Sequence, residues 1–460
     1  MTYRSKVATV YLLSLFLDLI NMFISGVALP AMSADLHASV AQLAWVSNGY
    51  IIGLTLVVPL SRWLTHRFGA RRLFLLSLSL FALATLAVGH AQSLTSLVSW
   101  RVIQGAGGGL LIPVGQALTW QLYAPAERTR ISTLVMMVAL LAPATSPALG
   151  GVLVEHSGWH AVFLVSLPMA IIALVCAFIW LRDAPTSSPS STLDVLSVLT
   201  SAGGLLFLLL SLTALSEPDK MLAGLLWLLP ALLLLAAFIS RSRRHPAPLL
   251  ALHLVQMPLL RFSMLVYLCT PGFFIGVNMI AVFWLQQMAG LSAAANGALM
   301  LAWSVAAFIA IHTSGRGFNR VGPKPMIICG CLCQAAGILW LIDVNLSTPH
   351  LVLYCAYALM GFGGSLCSSS AQNSAMLEID AAEMADASAL WNINRQLSFC
   401  LGVALLSLLL NVLEQHLPQT QAYTLCFIVA AGVTLLPALV SLRLNSQAIK
   451  LHLLTEERQK

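Results

Sequence analysis

The chain has 460 residues, 59% of them hydrophobic and only 8% charged, where a soluble domain carries about 25% charged residues. That deficit excludes a water-soluble globular domain and places the chain in lipid. The formal charge of +7 is large enough for nucleic acid, but its confinement to one set of loops excludes that partner.

A helix needs about 20 apolar residues to cross the hydrocarbon. The first apolar run, 7–31, is long enough to do so and has no short apolar core followed by a small-residue cleavage site. It is expected to serve as first span and insertion signal. It holds Asp18, the one acid deep inside an expected span. Asp18, Asn21 and Ser25 recur at i, i+3 and i+7 and share one helix face, expected to line a cavity. An intramembrane carboxylate costs at least about 2.5–3.5 kcal/mol on insertion scales and is a functional candidate on that ground. Two roles fit Asp18. It exchanges a proton as a central pocket turns from one side to the other, or it pairs locally, with Asn21 or a backbone group, and fixes helix packing.

The second run, 43–64, carries Trp45 and Tyr50, and a basic loop follows with His66, Arg67, Gly69 and Arg71. After a third run at 73–92, the fourth, 95–121, holds Arg101, Gln104, a ladder of Gly105, Gly107, Gly108 and Gly109, and Trp120. Arg101 is always charged and needs an acid, water or carbonyl oxygens around it. Gly105 and Gly109 form a small-xxx-small pair that lets helices approach closely. The fifth run, 131–154, contains Pro143 and Pro147 four apart, then Gly150 and Gly151; prolines at that spacing kink one face of a helix.

A sixth run at 161–181 leads to a Ser/Pro-rich linker, Ala184–Thr192, and to two charge-free runs at 195–215 and 221–240. The remaining runs are 263–288 with Asn278, Trp284 and Gln286, then 294–313, 326–343, 350–374, 387–412 with Trp391, Asn392 and Arg395, and 422–442. Cys329, Cys331 and Cys333 alternate around their helix with no His or acid near, which argues against a metal site. Arg395 is expected to snorkel or to pair with Asp386. Trp45, Tyr50, Trp120, Trp284 and Trp391, with Gln104, Asn278, Gln286 and Asn392, are candidate cavity linings, since apolar walls with a few amides suit amphipathic ligands.

Lys and Arg sort almost wholly to one set of loops and to both termini, leaving Lys220 alone on the other side. The positive-inside rule makes the basic side cytoplasmic, with both termini inside. The chain also repeats. Arg67-x-Gly69-x-Arg71 recurs as Arg320-x-Gly322-x-Lys324, 253 positions on, and Gly105-x-Gly107-Gly108 as Gly361-x-Gly363-Gly364, 256 positions on. Two echoes at nearly one offset imply duplicated halves, with the central site at the midplane between them.

At these residues the chain resembles the major facilitator superfamily, and within it the fourteen-span drug:proton antiporter family. The resemblance rests on Leu64, Arg67, Gly69 and Arg71 of the loop motif, on Arg101, Gln104, Gly105 and Gly107 in the fourth span, on Pro147, Gly150 and Gly151 of the antiporter motif, and on Val27-Ala28-Leu29-Pro30. It departs at Arg62, where Gly is usual, at His66, where Asp is usual, and at Asn21, where an acid is usual. It implies an all-α polytopic fold of two six-helix bundles plus two added central helices, fourteen spans in all: 1–182, a linker and inserted pair at 183–260, a second bundle at 261–446 and a tail at 447–460. It implies a proton relay through Arg101 and a gating role for Arg67, Arg71 and Arg320. With His66 in the Asp position, gating is either pH-sensitive or indifferent to the side chain, since His titrates near 6.5.

The expected function is proton-driven export of amphipathic, drug-like molecules across a bacterial inner membrane by a monomer that uses the proton gradient and no cofactor. Export of a neutral or anionic metabolite such as a siderophore is the alternative. A membrane-embedded enzyme is remote: no Walker loop, H-E-x-x-H or Ser/His/Asp arrangement is present. His156 and His160 have the spacing of a metal pair, but in a loop. A non-transporting relative fits the motif departures.

Overall fold

A computed structural model describes residues 2–38, 40–182, 193–215, 218–245, 248–291 and 293–442. The Ser/Pro-rich linker, the 447–460 tail and the side chains of Pro143 and Pro147 therefore lie outside the described residues.

The described chain is helical throughout. In order it forms α1 (Tyr3–Ile24), α2 (Leu29–Leu36), α3 (Val40–Val57), α4 (Ser61–Phe68), α5 (Ala70–Val88), α6 (Leu94–Trp120), α7 (Pro125–Ser157), α8 (Trp159–Leu164) and α9 (Ser166–Trp180). Then come α10 (Val195–Leu215), α11 (Met221–Arg244), α12 (Pro258–Tyr267), α13 (Phe273–Met288), α14 (Ala293–Val321), α15 (Pro323–Leu339), α16 (His350–Ala375), α17 (Met384–Glu414) and α18 (Gln419–Ser441). Several pairs continue one another as single rods. A short 3₁₀ turn joins α1 to α2, and a π-helical turn at Leu268–Gly272, holding Pro271, joins α12 to α13. Among the described residues eleven helical rods are long and apolar enough to cross a membrane, and Pro323–Leu339 is a shorter apolar helix. Only helices satisfy every backbone group inside lipid without a partner segment, so the composition that excludes water also dictates this architecture.

The repeat read from sequence is a repeat in space. Gly69 and Gly322 both sit at positive φ, 82° and 83°, each ending one helix and opening the next; glycine takes that conformation without steric penalty. A Cβ on Gly105 would meet the backbone of Tyr50 on α3, and one on Gly361 the backbone of Trp303 on α14. Gly107 abuts Ser77 and Phe81 on α5, as Gly363 abuts Gly330 and Gln334 on α15. Each of these partners lies 253 positions from its counterpart. Missing side chains let backbones touch where lipid supplies no hydrophobic drive for association.

The apolar cores divide unequally. At the end bearing the basic loops, one continuous core takes in Leu15, Tyr50, Phe74, Leu111 and Trp120 from the first half and Tyr267, Ile327, Ala371 and Trp391 from the second. At the other end there are two separate cores, one around Ile24, Val46 and Phe163, the other around Trp284, Tyr357 and Phe427. The halves share a core at the basic end and keep separate cores at the other, and a small further core gathers Leu259, Phe318, Met326 and Leu377 within the second half.

Candidate functional site

The first half encloses a buried polar network. Asp18 on α1 is buried, and its Oδ1 accepts the hydroxyl of Tyr50 on α3. Among the described residues that hydroxyl is the carboxylate's only hydrogen-bond donor. The pair fits because α6 passes it with Gly108, where a Cβ would collide with both Asp18 Oδ1 and the Tyr50 hydroxyl. The guanidinium of Arg101, a fully buried side chain, lies 4.4 Å from the Tyr50 ring centroid and 5.5 Å from that of Phe163. Its Nε donates to Val46 O at 3.0 Å, and its Nη1 to Asn21 Oδ1 at 2.5 Å and Gln104 Oε1 at 2.8 Å. Asn21 Nδ2 donates to Ser166 Oγ at 3.0 Å, and Gln104 Nε2 to Thr85 Oγ1 at 2.7 Å. Arg101 thus binds α1, α3 and α6 together, and its amide neighbours extend the grip to α5 and α9. Charge-assisted bonds of this kind are about twice as strong as neutral ones, and the ring adds a cation–π contact.

The geometry places the candidate cavity residues individually. Asn21, Ser25 and Gln104 lie inside the bundle rather than along an open cavity, because Arg101 draws the two amides inward; the Ser25 hydroxyl turns back to Met22 O at 3.3 Å. The local pairing of Asp18 is with Tyr50, since Asn21 is taken by Arg101. Trp284 sits inside the second half's own core: its Nε1 donates to Leu341 O at 2.7 Å and its ring stacks on Tyr423 at 5.0 Å. Trp120 belongs to the seal, edge-on to Tyr11 at 6.0 Å. Gln286 and Trp45 are exposed, and Asn278 accepts the Tyr357 hydroxyl at 3.5 Å. Trp391 and Asn392 do lie where the halves meet: Trp391 packs on Tyr267 at 5.1 Å, and Asn392 Nδ2 donates to Gln116 Oε1 at 3.0 Å across the halves.

Arg395 does not pair with Asp386. Asp386 is buried against Arg62, with Nε 2.9 Å from Oδ2, and accepts Ala251 N at 3.2 Å. Arg62 Nη1 also donates to Pro248 O at 3.1 Å. Arg128 Nη1 reaches Met376 O at 2.7 Å, and Thr129 Oγ1 donates to Asn319 Oδ1 at 3.0 Å. These contacts are the polar part of the seal at the basic end. Arg395, half-buried one turn beyond Asn392, makes no hydrogen bond or ion pair among the described residues; Asp18, Tyr11 and Tyr267 are its electrostatic neighbours.

The loop residues are placed more simply. Arg71 Nη2 caps Phe178 O at 3.0 Å, while Arg67 and Arg320 are exposed. His66 is held below its ordinary value of 6.5 by partial burial and then by the charge of Arg62, so it stays neutral near pH 7. Gly150 is buried, and Gly151 has nothing near the position of a Cβ. His156 hydrogen-bonds Val152 O and His160 stacks on Trp159. Among the described residues no cluster of His, Cys, Asp or Glu is placed to hold a metal.

The Arg62–Asp386 bridge, the Gln116–Asn392 bridge and the fit of Gly108 against Asp18 and Tyr50 were not read from sequence. The one usable signal was Arg62 itself, a charge where the loop motif has glycine.

The model of the Major Facilitator Superfamily matches residues 11–403. The chain is 30% identical over 419 residues to the multidrug resistance protein B homolog of Mycobacterium tuberculosis (strain ATCC 25618 / H37Rv), covering 89% of this chain and 77% of that protein. It is 29% identical over 344 residues to the tetracenomycin C resistance and export protein of Streptomyces glaucescens, covering 74% of this chain and 63% of that one. The crystal structure of the human organic anion transporter MFSD10 superposes with a TM-score of 0.70 at 17% identity, over 96% of this chain and all of that one, a likeness of fold.

Proposed function

The chain belongs to the major facilitator superfamily as a multi-pass membrane transporter, and from that membership we propose that it is a proton-coupled antiporter exporting amphipathic, drug-like molecules by alternating access. The observation that carries the reading is Asp18: a carboxylate deep in the membrane-spanning part, held by one hydroxyl and set beside a network that fixes its helix. The names of the drug-exporting relatives support the cargo class.

In this reading the basic end is cytoplasmic, both termini are inside, and the membrane is the bacterial inner membrane. The sealed basic end and the parted opposite end then make the described state outward-facing. A proton arriving from outside reaches Asp18 and cancels the charge that Tyr50 solvates. The first half thereby loses its tie to one ionisation state, and the halves rock about the seal. Discharge of the proton to the cytoplasm resets the carboxylate as cargo binds. Fourteen spans follow if the α3–α4 rod, α7 and α15 cross together with the eleven long apolar rods. The α10–α11 hairpin is then the inserted pair between bundles at 1–182 and 261–446. The working unit is a monomer with the proton gradient as its sole energy source.

The test is dye export from proteoliposomes under an imposed pH gradient. Wild type concentrates a hydrophobic dye such as ethidium against its gradient; Asp18→Asn leaves only downhill flux. Equal uphill transport by both refutes Asp18 as the coupling group.

One observation favours the second cargo class, an anionic metabolite. Two guanidiniums, Arg101 and Arg395, stand near one carboxylate, so the region carries excess positive charge. The classes separate by sign. A cation competes with the proton at Asp18 and binds more weakly at acid pH; an anion held by Arg395 binds more tightly there, because Asp18 no longer repels it.

A further inference from the structure

The hairpin of α10 and α11 gathers basic side chains at its basic end. A cavity of about 420 Å³ lies there between the helices, lined by Leu196, Thr200, Ala237, Ser240, Arg241, Arg244 and His245. Asp194 organises its floor. It caps α10, accepting Ser197 N at 3.3 Å and Ser197 Oγ at 2.6 Å, and it grips Arg241 through Nε alone, at 3.0 and 2.7 Å. The Arg241 guanidinium holds the Asp194 carboxyl well below the usual carboxylate range, so the pair is ionised at every physiological pH. His245 Nε2 stands 4.0 Å from the same carboxylate, at Oδ2. The terminal nitrogens of Arg241 remain without a hydrogen-bond partner among the described residues, and so does the exposed guanidinium of Arg244.

The walls beyond the charges are apolar and face outward. Leu196, Leu199 and Leu233 are 51%, 63% and 62% exposed, and Leu229, Leu226 and Leu222 continue the row along α11. In a chain that lives in lipid, such a row faces acyl chains. A cationic notch at the membrane surface that opens directly onto a leucine face matches one kind of molecule. We propose that this cavity binds the headgroup of an anionic phospholipid. The phosphodiester sits between the terminal nitrogens of Arg241 and the Arg244 guanidinium, within reach of the Ser240 hydroxyl, and the acyl chains lie along the leucine row. Basic pockets between membrane helices take anionic headgroups for this electrostatic reason, and the fork of arginine suits a phosphate.

The full-length protein, delipidated in detergent, tests this by native mass spectrometry with phosphatidylglycerol and phosphatidylcholine as separate probes. Phosphatidylglycerol is expected to occupy one retained site that phosphatidylcholine does not. Arg244→Gln should weaken it about fivefold, the worth of one basic residue beside an anionic headgroup. Arg130→Gln, an exposed charge elsewhere at the same end, should change nothing. Asp194→Asn keeps a good helix cap and removes the competing carboxylate, so it should tighten phosphatidylglycerol binding. That gain is one a misfolded variant does not give. Equal retention of both lipids, equal loss in Arg130→Gln and Arg244→Gln, or weaker binding by Asp194→Asn overturns the proposal. Displacement by inorganic phosphate at matched concentration also overturns it, in favour of a site for a soluble anion.

Discussion

The two halves of this molecule share their contacts and differ in their chemistry. Tyr50 and Trp303 stand 253 positions apart on equivalent helices, and each receives a glycine of the span-4 ladder or its echo against its backbone. In the first half Tyr50 serves a carboxylate and lies under a guanidinium. In the second, Trp303 stacks on Phe274 with ring centroids 5.2 Å apart, and no ion enters. Where Arg101 bonds Asn21, Tyr357 makes a long bond to Asn278. Duplication kept the close helix contacts and placed the buried Asp18–Tyr50–Arg101 group in the first half. At these matched positions the first half holds ions and the second holds stacked rings.

Breaking the charged side should cost most. Gly108→Leu forces a side chain into the Asp18–Tyr50 contact and should abolish uphill transport, with a stability loss of about 1–3 kcal/mol from overpacking; thermal unfolding and proteoliposome flux measure both. Tyr50→Phe removes the donor to Asp18 and should reduce coupled transport by about tenfold or more, the worth of a hydrogen bond to a charged group. The matching change in the other half, Trp303→Phe, should stay within twofold of wild type. Similar losses in both halves would erase the distinction drawn here.

The seal sets the next scale. Arg62→Gln leaves Asp386 buried without its counter-ion. The penalty is about 2 kcal/mol, below that of a fully buried pair because the Arg62 side chain is 30% exposed. Cysteine accessibility should shift toward the state open at the basic end, and Asp386→Asn on the same background should restore much of the original population. The smallest effect belongs to His66. Burial and Arg62 depress its proton affinity, so the unfolded chain binds that proton more readily. Its contribution is full above about pH 6.5 and fades as pH falls through that value. His66→Gln should match wild type from pH 7 to 8 and melt about a degree higher at pH 5.5.

Much of this was legible in sequence because lipid imposes simple rules. Apolar runs marked the rods, basic loops marked one end, and the glycine echoes marked contacts that recur in space. Asp18 and Arg101 stood out because charge inside a span demands a reason. What stayed hidden was partner choice. Asn21 and Gln104 are amides that fit a cavity wall or an arginine's grip equally well, and only the placement of α1 beside α6 decides. Trp284 looks like any cavity aromatic until the rotation of α13 turns it to Leu341. Arg395 lies nine positions from Asp386 in sequence, yet the arginine that Asp386 takes, Arg62, comes from the other half.

The central claim is that cargo and proton exchange at Asp18. Cargo-induced proton release tests it most directly: purified protein in weakly buffered detergent, a pH-sensitive dye, and a saturating pulse of transported substrate. Wild type should release protons on binding and Asp18→Asn should bind the same substrate in silence. Equal release from the two proteins, or binding to wild type with no release between pH 5 and 8, would contradict it.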